Sequence, residues 1–561
     1  MIKFKIITDL NEISHLVTDK PMFCDIETAK LYVDCRLIQV YQPEVDDMIY
    51  IIDTDIIDLE EAKNWLKAYW TIWQGCAYDF GTLNMTTDKF DDVLLLARNA
   101  YPEWREYKLD NIVSRLGYDY LYDGLDKKAL QKQGFIKGAY LSQVQLKYSA
   151  TDVYALSKIW EDFSIQKARD IFSYKVDILS IKHAIAFQQN GLIVHQPSVR
   201  KELDLVETKI DSYYARLGGL NPNSPKQCKE VLGTASTDKN TLIKLIANDN
   251  DLAEAIYIQR RQLKRRTFLN SYNFPKIYTR FNPSGAVTGR FTSTGGDMDR
   301  GINAQQITRD LQYIFHQPAI IDGVQTVVLH ADFSTAELRA GCSIMQEPTM
   351  YEELKAGHDL HKLAALLAMH DKTLADITKA DRQKGKAISF GLIFGMSAES
   401  FQEYAYVNYG VKFTAEECKI IKQKYNTKYQ NIARYHNTKW QEYKSIPNET
   451  PTGRRCMANL GTDAINYATQ GCIADTTKLS AHYINKEDSR ANNYIFNIVH
   501  DAIYMRVPEV DVEYWAEVLV RNMKKGWTEM CKMPMLHYKD IPMPVEYEYI
   551  LSDGTKICKE V

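Results

Sequence analysis

The spacing of apolar positions along this chain changes near residue 160. Before it, short apolar runs alternate with helix-period segments. "RLIQVYQ" and "MIYIID" read as strands, whereas "LEEAKNWLKAYWTIW" and "FDDVLLLARNAY" read as helices. Such alternation predicts an α/β layer fold. From about residue 166 long amphipathic segments take over, among them "YKVDILSIKHAIAFQQN" and "RKELDLVETKIDSYYARLG", followed by the Gly/Asn/Pro-rich connection "GGLNPNSPKQ". Strand-like runs return at "QTVVLHADFS" and "NYIFNIVHDAIYMRVP". The change of texture puts a domain boundary near 160–170, and a chain of 561 residues has room for roughly two to four units.

Composition narrows the class. With 45% hydrophobic and 25% charged residues the chain reads as globular. No apolar run approaches the roughly 20 residues of a membrane helix, and "MIKFKIITDLNEI" lacks a signal-peptide core. A cytoplasmic location with no membrane partner is therefore expected. The ten cysteines are scattered without a C-x-x-C pair, which points away from zinc knuckles and disulfide frameworks. A net charge of −3 leaves nucleic-acid binding to local basic patches. Neither GxGxxG nor a P-loop occurs.

The acids of "KPMFCDIETAK" are the first candidate chemistry. On a strand, Asp25 and Glu27 point to the same face, where like charges raise each other's pKa unless a cation intervenes. A solvated strand end is the plainer reading of the pair alone. Three further residues follow in order: Asp79 at the start of a helical pattern, then Tyr148 and Asp152 at i and i+4 on one helix face. Four carboxylates and a tyrosine could hold two metal ions about 4 Å apart for phosphodiester hydrolysis, the tyrosine orienting the attacking water. The all-oxygen set favours Mg²⁺ or Mn²⁺ over zinc.

A second constellation lies downstream. Asp332 ends a strand-like run, and Asp501 sits with His500 at the tip of a predicted hairpin. Taken singly, each could be a turn acid. Between them, "DRQKGKAISFGLIFGMS" spaces Arg382, Lys386, Phe390 and Phe394 four residues apart. Two cations followed by two rings suit a triphosphate and a stacked base; a solvated basic face over an aromatic stripe is the alternative. A third cationic run, "YIQRRQLKRRTFLNSY", clusters Arg261, Lys264 and Arg265 on one helix side.

The first set of motifs resembles the three exonuclease motifs of the DEDDy 3′→5′ exonuclease family. "DFSTAELR", "RQKGKAISFGLIFG" and "VHDA" are similar to motifs A, B and C of family A DNA polymerases, and "TGRFTS", "AGHDLHKLAA" and "NYATQGCIAD" extend the likeness over essentially the whole chain. The resemblance implies a multi-domain α/β and α+β chain: an RNase H-like exonuclease domain (1–165), palm entry and thumb (166–330), then palm and fingers (331–561, fingers about 350–440). It implies primer-template DNA and dNTPs as partners and two Mg²⁺ (or Mn²⁺) per active site. Asp332, Asp501 and the Phe333 carbonyl would hold the polymerase metals, and Asp25, Glu27, Asp79 and Asp152 those of the exonuclease. Glu337 would lie beneath the incoming sugar, and Arg382, Lys386 and His361 would contact the triphosphate. Phe390 and Phe394 would shape the nucleotide pocket. Arg290, Asn466, Gln470 and His500 would follow the primer-template minor groove. The basic run at 257–272 would then lie over duplex phosphates.

Four positions depart from the family pattern: Ala502 replaces the motif C acid, Phe394 a common Tyr, Thr462 a common Arg, and Gly75 a common Asn. Ala502 motivates the competing expectation of an exonuclease whose polymerase half only binds primer-template; a non-enzymatic clamp on primer ends is a further competitor. Nothing like a 5′-nuclease domain precedes the exonuclease motifs, which leans the reading towards a phage replicative enzyme acting in the host cytoplasm. A helicase or processivity partner is not identifiable from the residues.

Overall fold

Burial follows the apolar pattern closely in the N-terminal third of the computed structural model, which describes residues 2–30, 33–247, 249–295, 300–369 and 371–561. Six strands form its sheet: β1 (Phe4–Ile7), β2 (Pro21–Lys30), β3 (Val33–Tyr41), β4 (Ile49–Asp53), β5 (Trp70–Trp73) and β6 (Phe90–Asp92), in the order β1-β4-β3-β2-β5-β6. Strand β3 runs antiparallel to both neighbours and the other pairs are parallel. Helix cover keeps β4 buried along its whole length, as its unbroken apolar run requires. The helix Gln143–Trp160 packs across β2, β3 and β4.

Two expected helices are shorter than their apolar pattern. In "LEEAKNWLKAYWTIW" the helix is Leu59–Leu66, and Trp70–Trp73 is strand β5. The aromatic and β-branched residues there suit a buried parallel strand beside β2. In "FDDVLLLARNAY", Phe90–Asp92 is strand β6, and the helix Val93–Ala100 begins only where Asp92 caps it, accepting from the Leu94 and Leu95 N–H groups at 2.9 and 3.3 Å.

The second sheet carries β7 (Ala319–Ile321), β8 (Val324–Phe333), β9 (Ile495–Val499), β10 (Ala502–Pro508), β11 (Val545–Ile550) and β12 (Lys556–Glu560). Its order is β9-β10-β8-β11-β12, with β7 added on β8, and every pairing is antiparallel. The long helices Gly461–Glu487 and Val512–Cys531 pack together against it. A helical layer holding Leu360–Ala365 and Lys379–Ile393 adjoins it. These two helices touch at Gly385, where a Cβ would come within 1.8 Å of the His361 carbonyl oxygen, so only glycine permits the approach. The helices Gln196–Arg216 and Asp251–Ser271 pair beside a smaller core.

The helix Phe172–Asn190 joins the two main cores: Tyr174, Ile181 and Ile185 pack with the first, Val176, Ala184 and Phe187 with the second. Its Asp177 is fully buried in an ionic knot. Arg454 donates to both Asp177 oxygens at 2.5 and 3.0 Å and to Asp475 at 2.7 Å, and Lys478 reaches Asp177 at 2.6 Å. Among the described residues, no helix is long and apolar enough to cross a membrane.

Candidate functional site

Strand alternation sets Asp25 and Glu27 on one face of β2, and the helix Gln143–Trp160 brings Asp152 over them. Carboxylate oxygens of the three lie within 4.8 Å of one another. Burial pushes the Asp25 carboxyl well up, and the charges of Asp152 and Asp79 add to it; Glu27 is raised by burial and then by Asp25. Glu27 Oε1 is buried with no hydrogen-bond donor among the described residues. An orphaned carboxylate oxygen inside a mutually repelling, all-oxygen set fits a hard divalent cation. Asp79, in the first turn of the helix Ala77–Leu83, is buried and outside the close trio, yet near enough to raise it.

Asp152 is raised only to about 6. Burial lifts it, while the Tyr122 hydroxyl, donating at 2.6 Å, and Lys127 hold it down. Lys127 sits 3.1 Å from the centre of the Tyr122 ring. Neither residue stands out in the sequence, since nothing in "YLYDGLDKKAL" marks a hydroxyl that will face a carboxylate. Tyr148, one turn before Asp152, is buried, and its hydroxyl accepts from Gln131 Nε2 at 3.2 Å. The departure at Gly75 has a backbone reason: φ is +77°, a region that Gly and Asn both tolerate.

In the second sheet, Asp332 lies near the end of β8, and Asp501 occupies a two-residue turn between β9 and β10, closed by the Val499–Ala502 pair. His500 holds φ +56° in that turn, and Thr335, just after β8, holds +53°. Two non-glycine residues in the left-handed region thus flank the acids, as tight hairpins and strained sites allow. Burial and then the Asp332 charge push Asp501 up to about 7. Asp332 rises to about 6 through burial and then Glu546, which pairs directly opposite it on β11. Glu546 was missed in the sequence; the alternation of "VEYEYI" marks a half-buried strand but not its neighbour.

Several expected contacts are engaged inside the protein instead. Arg290 Nη2 donates to Glu337 at 2.7 Å. Arg382 Nε donates to Asp359 at 2.6 Å, and Asp359 also caps the helix that carries His361. His361 is 1% exposed, with Nδ1 3.1 Å from Ser389 Oγ and its ring 5.2 Å from Phe390. Burial, then Arg382, hold it down to about 4 and neutral. An open phosphate contact by His361 is therefore not what this conformation shows, because the Gly385 approach closes the helices over it. Lys386 has no carboxylate in ion-pair range among the described residues, and burial, then Arg382, lower its pKa. Phe394 is half-buried just past the end of its helix.

Asn466 and Gln470 share one half-buried face of the helix Gly461–Glu487, and Asn466 Oδ1 is buried without a donor among the described residues. Thr462 lies one turn earlier on that helix, also half-buried. On the basic helix, Arg265 is tied to Glu202 at 2.7 Å and to Asp310. Arg261 and Lys264 stay exposed, lying over Tyr257 and Phe268.

The sequence model of DNA polymerase family A matches residues 192–549. The chain belongs to DNA polymerase family A. DNA polymerase I from Aquifex aeolicus is 27% identical, covering 96% of either chain. A DNA polymerase from Bacillus phage SP01 is 26% identical over 42% of this chain and 27% of its own length. Other relatives are longer: the chain spans 58% of DNA polymerase I from Streptococcus pneumoniae TIGR4. Its fold resembles the POL domain of Pol1 from M. smegmatis, solved in complex with DNA primer-template and dNTP, at a TM-score of 0.73 and 20% identity, covering 97% and 98% of the two chains. Family A DNA polymerases generally use divalent metals, and both acid sets of this polymerase are suited to them. Asp332, Asp501 and the fingers-like cations lie inside the matched span; Asp25, Glu27, Asp79, Tyr148 and Asp152 lie before it.

Proposed function

We propose that this polymerase extends a primer on a DNA template with dNTPs and shortens mispaired 3′ ends at a separate N-terminal site. The domain reading is an RNase H-like exonuclease over 1–165, palm entry and thumb over 166–330, and palm and fingers over 331–561. The observation that carries synthesis is the meeting of Asp332 and Asp501 at neighbouring strand ends, each pKa raised by burial and a further carboxylate. Two Mg²⁺ ions, when bound, supply Lewis-acid activation of the primer hydroxyl and charge neutralisation of the leaving group. Asp332, Asp501 and the Phe333 carbonyl would hold them. The primer 3′-oxygen attacks the α-phosphorus, the bond to the β-phosphate oxygen breaks, and pyrophosphate leaves. Lys386, unpaired and half-buried, offers its ammonium to the triphosphate, and Arg382 reaches it by exchanging Asp359 for phosphate.

The exonuclease reading is supported by the trio Asp25, Glu27 and Asp152 and by the orphaned Glu27 oxygen. Tyr148 would position the attacking water. Ala502 favours the competing reading, in which the polymerase half only grips DNA. Glu546 counts against it by placing another carboxylate opposite Asp332. A phage replicative role is supported by the Bacillus phage SP01 relative.

A labelled primer-template in Mg²⁺, with and without dNTPs, tests both halves. Asp501→Ala should abolish extension and spare shortening, and the double variant Asp25→Ala, Glu27→Ala should do the reverse. Wild type that only shortens the primer at every dNTP level refutes the polymerase reading. Shortening that survives the double variant refutes the exonuclease reading.

A further inference from the structure

A second kind of ligand set lies on the palm sheet, upstream of the catalytic acids. On β8, His330 pairs with Tyr504 of β10 on one side and with Glu548 of β11 on the other. The short helix Tyr313–His316 lays His316 over the same face. The imidazole centroids are 5.5 Å apart, and both rings pack on Tyr504, His330 stacked at 5.1 Å and 15° and His316 at 5.6 Å. Ligating atoms of His316, His330 and Glu548 all lie within 4.8 Å of one another.

The bonding around these groups is incomplete in a telling way. Among the described residues neither imidazole makes a hydrogen bond, and His330 Nδ1 stands 3.8 Å from Glu548 Oε1, too far for one. The other carboxylate oxygen, Oε2, is held by Lys556 Nζ at 2.8 Å. Oε1 is therefore left facing His330 while its partner oxygen fixes the carboxylate's orientation. A charge-paired His–Glu contact is the bland account of the cluster. It does not explain why a second, half-buried imidazole lies within 4.8 Å of the same carboxylate. The cations facing the cluster are Lys556, Arg506 and Arg309. Arg506 is spent on the Phe315 and Gln317 carbonyl oxygens at 2.7 and 3.2 Å.

The geometry points to a transition-metal site made by His316, His330 and Glu548, taking Zn²⁺ or a cation of similar softness. Two imidazole nitrogens and one carboxylate oxygen form a set that zinc accepts with one exogenous ligand, and that Mg²⁺ does not favour. It differs in donor chemistry from both all-oxygen sets. Occupancy would pin the Tyr313–His316 segment, which leads into the palm, onto β8 and β11.

The test uses the full-length protein in excess Mg²⁺, dialysed against Zn²⁺ and, in parallel, Co²⁺ as a spectroscopic probe. Wild type should retain one Zn²⁺ per chain that His316→Ala and Glu548→Gln do not, with affinity falling at least about the tenfold that losing even one supporting hydrogen bond causes. The Co²⁺ complex should show a visible absorption band that both variants lack and that the Asp25→Ala, Glu27→Ala variant keeps. Zn²⁺ should raise the melting temperature of wild type and leave that of Glu548→Gln unmoved. Matching circular dichroism in metal-free buffer shows that each variant folds. Equal Zn²⁺ retention by wild type and both variants, or none by wild type, overturns the site.

Discussion

The N-terminal carboxylate trio and the ion-paired carboxylate of Asp177 behave in opposite ways, although Asp475, beside Asp177 in the knot, is raised by its burial. At the N-terminal trio, Asp25, Glu27 and Asp152 face one another, and burial and like charge raise Asp25 and Glu27 together. In the ionic knot, burial alone would also raise Asp177, but Arg454 and then Lys478 bring it below the usual carboxylate range. Burial is common to both, so it does not separate structure from function. Compensation does: the knot supplies its own cations, whereas the trio leaves that part to something from outside. The knot also joins residues 177, 454, 475 and 478, fixing the bridging helix to the polymerase half.

The sharpest break of this contrast removes a cation from the knot. Arg454→Ala leaves Asp177 and Asp475 buried with only Lys478 between them. Removing one partner of such a pair typically destabilises by about 3–5 kcal/mol, and a melting curve should show it as a large fall. Glu27→Gln, at a half-buried carboxylate whose Oε1 is shut away from solvent, should not lower the metal-free melting temperature at all. A fall of similar size in both variants would erase the distinction.

A smaller effect tests the missing cation directly. Divalent metal at about 100 times its Kd stabilises a single site by about 2.7 kcal/mol. In a background lacking the polymerase acids (Asp332→Asn, Asp501→Asn), Mn²⁺ should still raise the melting temperature. Adding Asp25→Asn with Glu27→Gln should remove that rise. Equal stabilisation with and without the trio's charges would mean that the orphaned oxygen of Glu27 is not a ligand.

How much of this was legible in the sequence depends on the range of the interaction. Asp25 with Glu27, and Tyr148 with Asp152, are set by strand and helix periods and could be read directly. The His500–Asp501 hairpin was legible because two apolar runs close around two residues. Asp332 facing Asp501 needed strands more than 160 positions apart to pair, and only the resemblance supplied that. Glu546, Tyr122 and the Asp177–Arg454 knot had no local signal, because each depends on which element the fold brings alongside. Trp70–Trp73 and Phe90–Asp92 were merged into helices because short buried parallel strands carry no alternation of their own. The triphosphate contacts were readable as residue types. Their present pairing, Arg382 with Asp359 and His361 with Ser389, reflects a conformation and not a pattern.

The smallest effect is a pH slope, and its sign separates Asp152 from Asp177. Asp152 is raised to about 6 in the folded chain against about 3.9 when unfolded. Between those values the folded state holds the extra proton, so the stability this group contributes is full below about pH 4 and is lost as pH rises through 6. Asp177 is lowered, so its contribution is present above about pH 4 and is lost as pH falls. One proton changes stability by at most about 1.4 kcal/mol per pH unit. Metal-free Asp152→Asn should therefore lose less stability than wild type between pH 4 and 6, while both decline together at lower pH, where the knot protonates. Saturating Mn²⁺ should flatten the wild-type curve over the same window, because a bound cation favours the charged carboxylates. If Asp152→Asn and wild type fall in parallel from pH 4 to 6, then Asp152 is as well compensated as Asp177, by Tyr122 and Lys127, and the uncompensated charge of the trio belongs to Asp25 and Glu27 alone.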